Sequence, residues 1–182
     1  VKDVTVSRRL PDTLSVNIIE RKPAAIWQEG GRSTLIDSDG VVLQNVSASS
    51  SPDLPRLTGA GANKQTVALS ALIANAPSLK SQIVGASWVG NRRWDLKFKT
   101  GETLALPEGE ELAAQALVKF ARMDGITRLL GRDIIHFDMR DPSRAYLRKT
   151  PKQTVATESD KSTDDKKEEK SDKADKAGKE AA

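Results

Sequence analysis

The chain has 182 residues, room for one ordinary domain with additions, and its lack of cysteine excludes disulfides, thiolate nucleophiles and zinc–thiolate centres. Its formal charge is +4, from 29 basic and 25 acidic residues. That mild excess is not the clustered footprint of a dedicated nucleic-acid binder; an anionic headgroup or an acidic protein partner suits it equally well.

Residues 1–22 read as a β-hairpin. Leu14, Val16 and Ile18 alternate with Ser15 and Asn17, the period of a half-buried strand. Pro11 and Asp12 supply the turn, since proline presets φ and aspartate bonds back to its own backbone. Lys2 to Ser7, with Val4 and Val6 on one face, is the partner strand, and Pro23 interrupts the ladder. A hairpin alone is marginal in water, so this one reads as the end of a small α+β module that begins upstream. A first residue Val1 in place of Met is in keeping with that expectation.

A second body runs over residues 23–149. Short strands are predicted at 24–28, 34–37 and 41–43, the last two turned by Ser38, Asp39 and Gly40. The regular acid spacing and closing glutamate of a calcium loop are missing there. Residues 44–63 read as a loop, with 53–58 as an extended edge segment. A helix over 64–76 is expected to open on Asn63 as its cap and to stop before Pro77, burying Ala68, Leu69, Leu72, Ile73 and Ala76. Strands follow at 83–88 and 94–99 around Gly90 and Asn91, then at 102–106. A second helix starts after Pro107, with Glu108, Glu110 and Glu111 where the helix dipole favours acids. Leu112, Ala116, Leu117 and Phe120 fall on one face, and Gly125 is the expected stop. A helical turn around 126–130 precedes strands at 133–140 and 143–148. The pattern is α+β: an antiparallel sheet with two helices packed on one face.

The segment 150–182 cannot build a core. From Lys152 onward it holds eight basic and nine acidic residues, no aromatic, and Val155 as its only large apolar side chain. Such a stretch does not offset a chain entropy of ~1–2 kcal/mol per residue, so it reads as disordered.

Catalytic signatures are missing. His136 is the only histidine, and a base or metal ligand needs partners within reach; it reads as a packed or edge residue. Nucleophile-elbow, phosphate-loop and zincin patterns are absent. Glu108, Glu110 and Glu111 are explained by the helix start. Asn91 to Trp94 is basic and aromatic, yet lacks a second stacking platform for nucleic acid. The chain reads as no enzyme, with no cofactor and no metal.

Three segments resemble the extracytoplasmic part of the FtsQ/DivIB family of bacterial cell division proteins. They are Arg8–Val16 running on through Glu20 to Trp27, Leu35–Val42, and Arg92–Leu96 with Leu104–Pro107. The resemblance implies the closing hairpin of a POTRA domain over 1–22 and a β domain over 23–149. It implies a non-enzymatic scaffold of the divisome at the septum, anchored in the inner membrane by one upstream transmembrane helix. This region would then lie in the periplasm. Implied partners are FtsB-like and FtsL-like proteins and other divisome membrane proteins, not nucleic acid. The implied contact is the last strand and its approach: Arg140, Asp141, then Ser143, Arg144, Ala145, Tyr146 and Leu147, with Arg92 and Arg93 as neighbours on the same sheet. The position of Asp141 is aromatic in some relatives.

An edge strand can accept a partner strand, and Arg140, Arg144 and Arg148 would select an acidic segment. The residues leave two other readings open. One is a different envelope assembly or secretion component with a POTRA-like module; the other is a binder of anionic polymers.

Overall fold

A computed structural model of the chain describes residues 1–47 and 52–149. The tail expected to be disordered lies outside the described residues. Two strands, β1 (Asp3–Arg9) and β2 (Thr13–Ile19), form a sheet of their own. They pair antiparallel from Asp3 opposite Ile19 to Arg9 opposite Thr13. Val4, Val6, Leu14, Val16 and Ile18 share one face of this hairpin and are all exposed.

The remaining strands of the described residues make a single nine-stranded sheet. They are β3 (Ala25–Glu29), β4 (Arg32–Ile36), β5 (Val42–Asn45), β6 (Arg56–Thr58), β7 (Ile83–Val89), β8 (Arg93–Phe98), β9 (Thr103–Ala105), β10 (Ile134–Asp138) and β11 (Tyr146–Lys149). Their order across the sheet is β11-β10-β9-β8-β7-β6-β3-β4-β5. The helices are α1 (Thr66–Ala74), α2 (Pro77–Lys80) and α3 (Glu110–Thr127).

The architecture is α+β as expected, but the sheet is mixed. Pairs β3/β6, β6/β7 and β9/β10 run parallel. Connectivity explains two of them. α1 and α2 carry the chain from β6 to β7, and α3 carries it from β9 to β10, so each is a crossover, and crossovers join parallel strands. The segment taken for an edge is β6, seated between β3 and β7 inside the sheet.

One core lies between the sheet and the helices. Leu57, Trp94, Leu96, Phe98, Leu104 and Phe137 point from the strands toward Leu69, Leu72, Leu117 and Phe120. Phe120 is its hub, with ring centroids 5.6 Å from Phe98 and 4.9 Å from Phe137. The buried stripe of α3 is Ala113, Ala116, Leu117 and Phe120, the i, i+3, i+4, i+7 set of a helix face. Leu112, expected on that stripe, is exposed instead.

Two helix ends differ from expectation. Asn63 does not cap α1: it sits in a 3₁₀ turn, Ala62–Gln65, and its side-chain amide donates to the Gly40 carbonyl at 3.3 Å. Gly125 does not stop α3, which runs to Thr127 and closes through the left-handed Arg128. There the Arg128 N–H bonds the Asp124 carbonyl, while the Asp124 carboxylate accepts the Leu130 N–H at 2.9 Å. Gly90 and Asn91 both have positive φ, as expected of a tight β7–β8 turn.

Candidate partner-binding edge

β11 ends the sheet. Among the described residues it pairs only with β10, with Phe137 opposite Leu147 and Asp138 opposite Tyr146, and all four of its residues are exposed. The strand starts at Tyr146, not at Ser143 as the sequence suggested. Residues 141–145 form the turn from β10, which is built around Asp141. The Asp141 carboxylate accepts the Ser143 hydroxyl at 2.7 Å and the Ser143 N–H at 2.8 Å. Those bonds, the hydroxyl first, hold its pKa below the ordinary carboxylate value. Lys119 of α3 adds a bond to the Pro142 carbonyl at 3.3 Å. Ser143, Arg144 and Ala145 therefore position the edge strand rather than extend it.

Alternation along β11 gives it two unlike sides. Leu147 shares the helix-side face with Phe137, and Tyr146 and Arg148 share the uncovered face with Asp138 and His136. On the helix side, Ala145 and Leu147 line an apolar groove of about 240 Å³ with Phe120, Met123, Ile126 and Phe137. Ile126 is 84% exposed at its mouth. Met123 was left off the expected stripe, which ended at Phe120, and Ile126 lay past the expected helix stop at Gly125. The signal was there, since Met123 and Ile126 continue the helical spacing from Phe120.

Two cations on the uncovered face near this edge are paired within the chain. The Arg140 guanidinium grips the Asp138 carboxylate in a fork, with Nε at 2.9 and 3.0 Å and Nη2 at 2.6 Å. This hydrogen bonding, above all other influences, lowers the Asp138 pKa; the carboxylate in return raises that of Arg140. Arg93 bonds Asp95 at 3.2 Å on the same face. Asp95 and Asp138 flank Ala105 in one register row, so Arg93 and Arg140 are brought together. Arg92 is not among them: it pairs with Glu108 at 3.0 Å and lines a cleft beside α1 and α3. Arg140, expected to be free to choose an acidic partner, already has one in its own chain. Arg144 and Arg148 have no acidic partner among the described residues.

His136 Nδ1 lies 2.7 Å from the Thr103 hydroxyl, across the β9–β10 ladder. Among the described residues no cluster of three or more His, Asp or Glu could hold a metal ion. No helix of the described residues is long and apolar enough to cross a membrane.

Comparison with known proteins places this geometry in a family. The family model "Cell division protein FtsQ/DivIB, C-terminal" matches residues 25–140, the span from the start of β3 to two residues past β10. The chain is 52% identical over 148 residues to cell division protein FtsQ of Novosphingobium aromaticivorans, covering 81% of this chain and 46% of that protein. It is 48% identical over 166 residues to FtsQ of Zymomonas mobilis, covering 90% of this chain and 52% of that protein. A solved structure, the major extracytoplasmic domain of the trans isomer of DivIB from Geobacillus stearothermophilus, is similar at 13% identity and a TM-score of 0.41. That match covers 60% of this chain and 96% of the solved one. The chain spans about half the length of the curated relatives it matches. It belongs to the FtsQ/DivIB family of cell division proteins.

Proposed function

We propose that this region is a divisome scaffold, not an enzyme, and that it recruits FtsB-like and FtsL-like partners by adding a partner strand to β11. In this reading residues 1–22 close a POTRA domain, and an upstream helix anchors the protein in the inner membrane. The region itself then works in the periplasm at the septum. The observation that carries the proposal is the position of β11: it ends the sheet, with exposed side chains and, among the described residues, no strand on its outer side.

The energetics suit a tethered partner. Four residues of edge offer roughly four main-chain bonds at ~0.5–1.5 kcal/mol net each, a few kcal/mol in all. About 4 kcal/mol corresponds to a dissociation constant of about 1 mM. Two proteins held in one membrane meet at an effective concentration on the order of mM, so weak docking suffices. The two sides of β11 supply selectivity. A partner strand places alternate residues against the apolar groove at Leu147 and against Arg148 and Tyr146, which favours an apolar and acidic alternation.

The Met139 N–H bonds the Ala105 carbonyl, so Asp138 and Tyr146 bond each other across the β10–β11 ladder and the Leu147 N–H faces outward. The test is Leu147→Pro, which removes that outward donor. With the fold verified by circular dichroism, capture of the FtsB-like partner should be lost. Retained capture by a folded variant overturns the proposal.

A further inference from the structure

The uncovered face of the sheet carries a second arrangement, centred on β6, β7 and β8, that strand addition at β11 does not need. Following the register from strand to strand, Arg56 lies beside Gly85, Gly85 opposite Lys97, and Lys97 opposite Thr103. Thr103 lies beside His136, and His136 opposite Arg148. These residues alternate with the core-facing Leu57, Leu96, Leu104 and Phe137, so they form one row on the face away from the helices. The row crosses five strand intervals, roughly 24 Å at ~4.8 Å each.

Between β6, β7 and β8 this face sinks into a depression of about 710 Å³. Thr58, Gly85 and Ser87 line it, with the Thr58 hydroxyl bonded to the Ser87 hydroxyl at 2.7 Å. Arg56, Lys97 and Lys99 also line it, against one carboxylate, Asp53. All three cations are exposed, and none has an acidic partner among the described residues. The neighbouring row behaves differently, because Arg93 and Arg140 are neutralised there by Asp95 and Asp138.

We propose that this trough binds an acidic peptide segment of a partner protein, which crosses the strands instead of pairing with an edge. Unpaired cations call for carboxylates. The hollow does not match a flat bilayer, and its lining has no aromatic ring on which a nucleobase could stack. The chain's own residues 152–182 are a poor complement, since their nine acids are interspersed with eight bases. The depression is lined from β6, β7 and β8. Only Arg148, at the far end of the row, belongs to β11, so reversing Arg56 and Lys97 leaves strand addition intact and the two proposals fail separately.

The test uses the full chain and a fluorescein-labelled peptide of alternating Glu and Ser, about ten residues long, enough to span ~24 Å in extended form. Fluorescence anisotropy is recorded beside phosphatidylglycerol vesicles and a single-stranded oligonucleotide as competitors. The expected result is peptide binding that weakens with salt and falls about tenfold in Arg56→Glu/Lys97→Glu, a change of about 1.4 kcal/mol. The charge-matched control Arg8→Glu/Arg32→Glu should bind as the parent does. Four results would overturn the proposal: no peptide binding, an equal loss in the control, displacement by vesicles or oligonucleotide at lower concentration than by unlabelled peptide, or binding seen only after residues 150–182 are removed. The last would make the tail the occupant.

Discussion

Replacing Asp37 by Ala should destabilise the fold by about 3 kcal/mol at neutral pH. The carboxylate is buried in the β4–β5 turn. Its Oδ1 accepts the Asp39 N–H at 2.9 Å and the Val41 N–H at 2.8 Å, and its Oδ2 meets the Arg21 guanidinium. Truncating one partner of a buried pair costs roughly 3–5 kcal/mol because the other charge is left behind. Arg21 keeps 24% of its side-chain surface and a second carboxylate, Asp39 at 3.5 Å, which puts the loss at the lower end. Asp37→Asn retains an acceptor for the two N–H groups and should cost less, about 1–2 kcal/mol. The assay is urea unfolding followed by tryptophan fluorescence. Burial pushes the Asp37 carboxyl up, but the bonds from Arg21, Val41 and Asp39 outweigh it and leave the pKa below its ordinary value. A group depressed in the folded state stabilises above its unfolded pKa, about 4, and that contribution fades as pH falls through the folded value. The gap between parent and Asp37→Ala should therefore be full at pH 7 and shrink below pH 4. A loss under 1 kcal/mol at pH 7, or a gap that does not change with pH, would refute the reasoning.

Other substitutions test the frame around the edge. Gly40 has φ of 80°, and a Cβ there would lie 1.9 Å from the Asn63 carbonyl oxygen, so Gly40→Ala should lower the unfolding midpoint by at least as much as a lost cap, ~1 kcal/mol; an unchanged midpoint contradicts this. Buried Glu102 accepts the Gly131 N–H at 2.6 Å and the Thr100 hydroxyl. Glu102→Gln can still serve both groups and should be nearly neutral, whereas Glu102→Leu should cost ~1–3 kcal/mol, read by the same denaturation. Phe120→Ala should cost ~3–5 kcal/mol by removing the ring between Phe98 and Phe137; a loss below 1 kcal/mol would show that the hub is elsewhere.

Much of the fold is written in local pattern. The alternation at Leu14–Ile18, the turn at Gly90 and Asn91 and the acids after Pro107 each act within a few residues, and each stands where expected. Parallel pairing was hidden because β6 is three residues long within a Ser- and Pro-rich stretch, too short to show a period. Without β6, α1 and α2 cannot be seen as a crossover. Asn63 shows the other limit: its type suits a helix cap, yet a neighbour far along the chain, Gly40, takes its amide. At the edge, the order of Arg140 to Leu147 was expected, whereas the self-contained Arg140–Asp138 fork was missed. Its spacing could have shown it, since residues two apart in an extended segment share a face, as Asp138 and Arg140 do and Arg93 and Asp95 do.

Strand addition at β11 is tested most directly by amide hydrogen exchange across residues 134–149, with and without the FtsB-like partner. The account predicts that the β11 amides, exposed on one side in the free protein, become protected when the partner is added, while β5 at the opposite edge is unchanged. Partner binding that leaves exchange in 146–149 unaltered would contradict it.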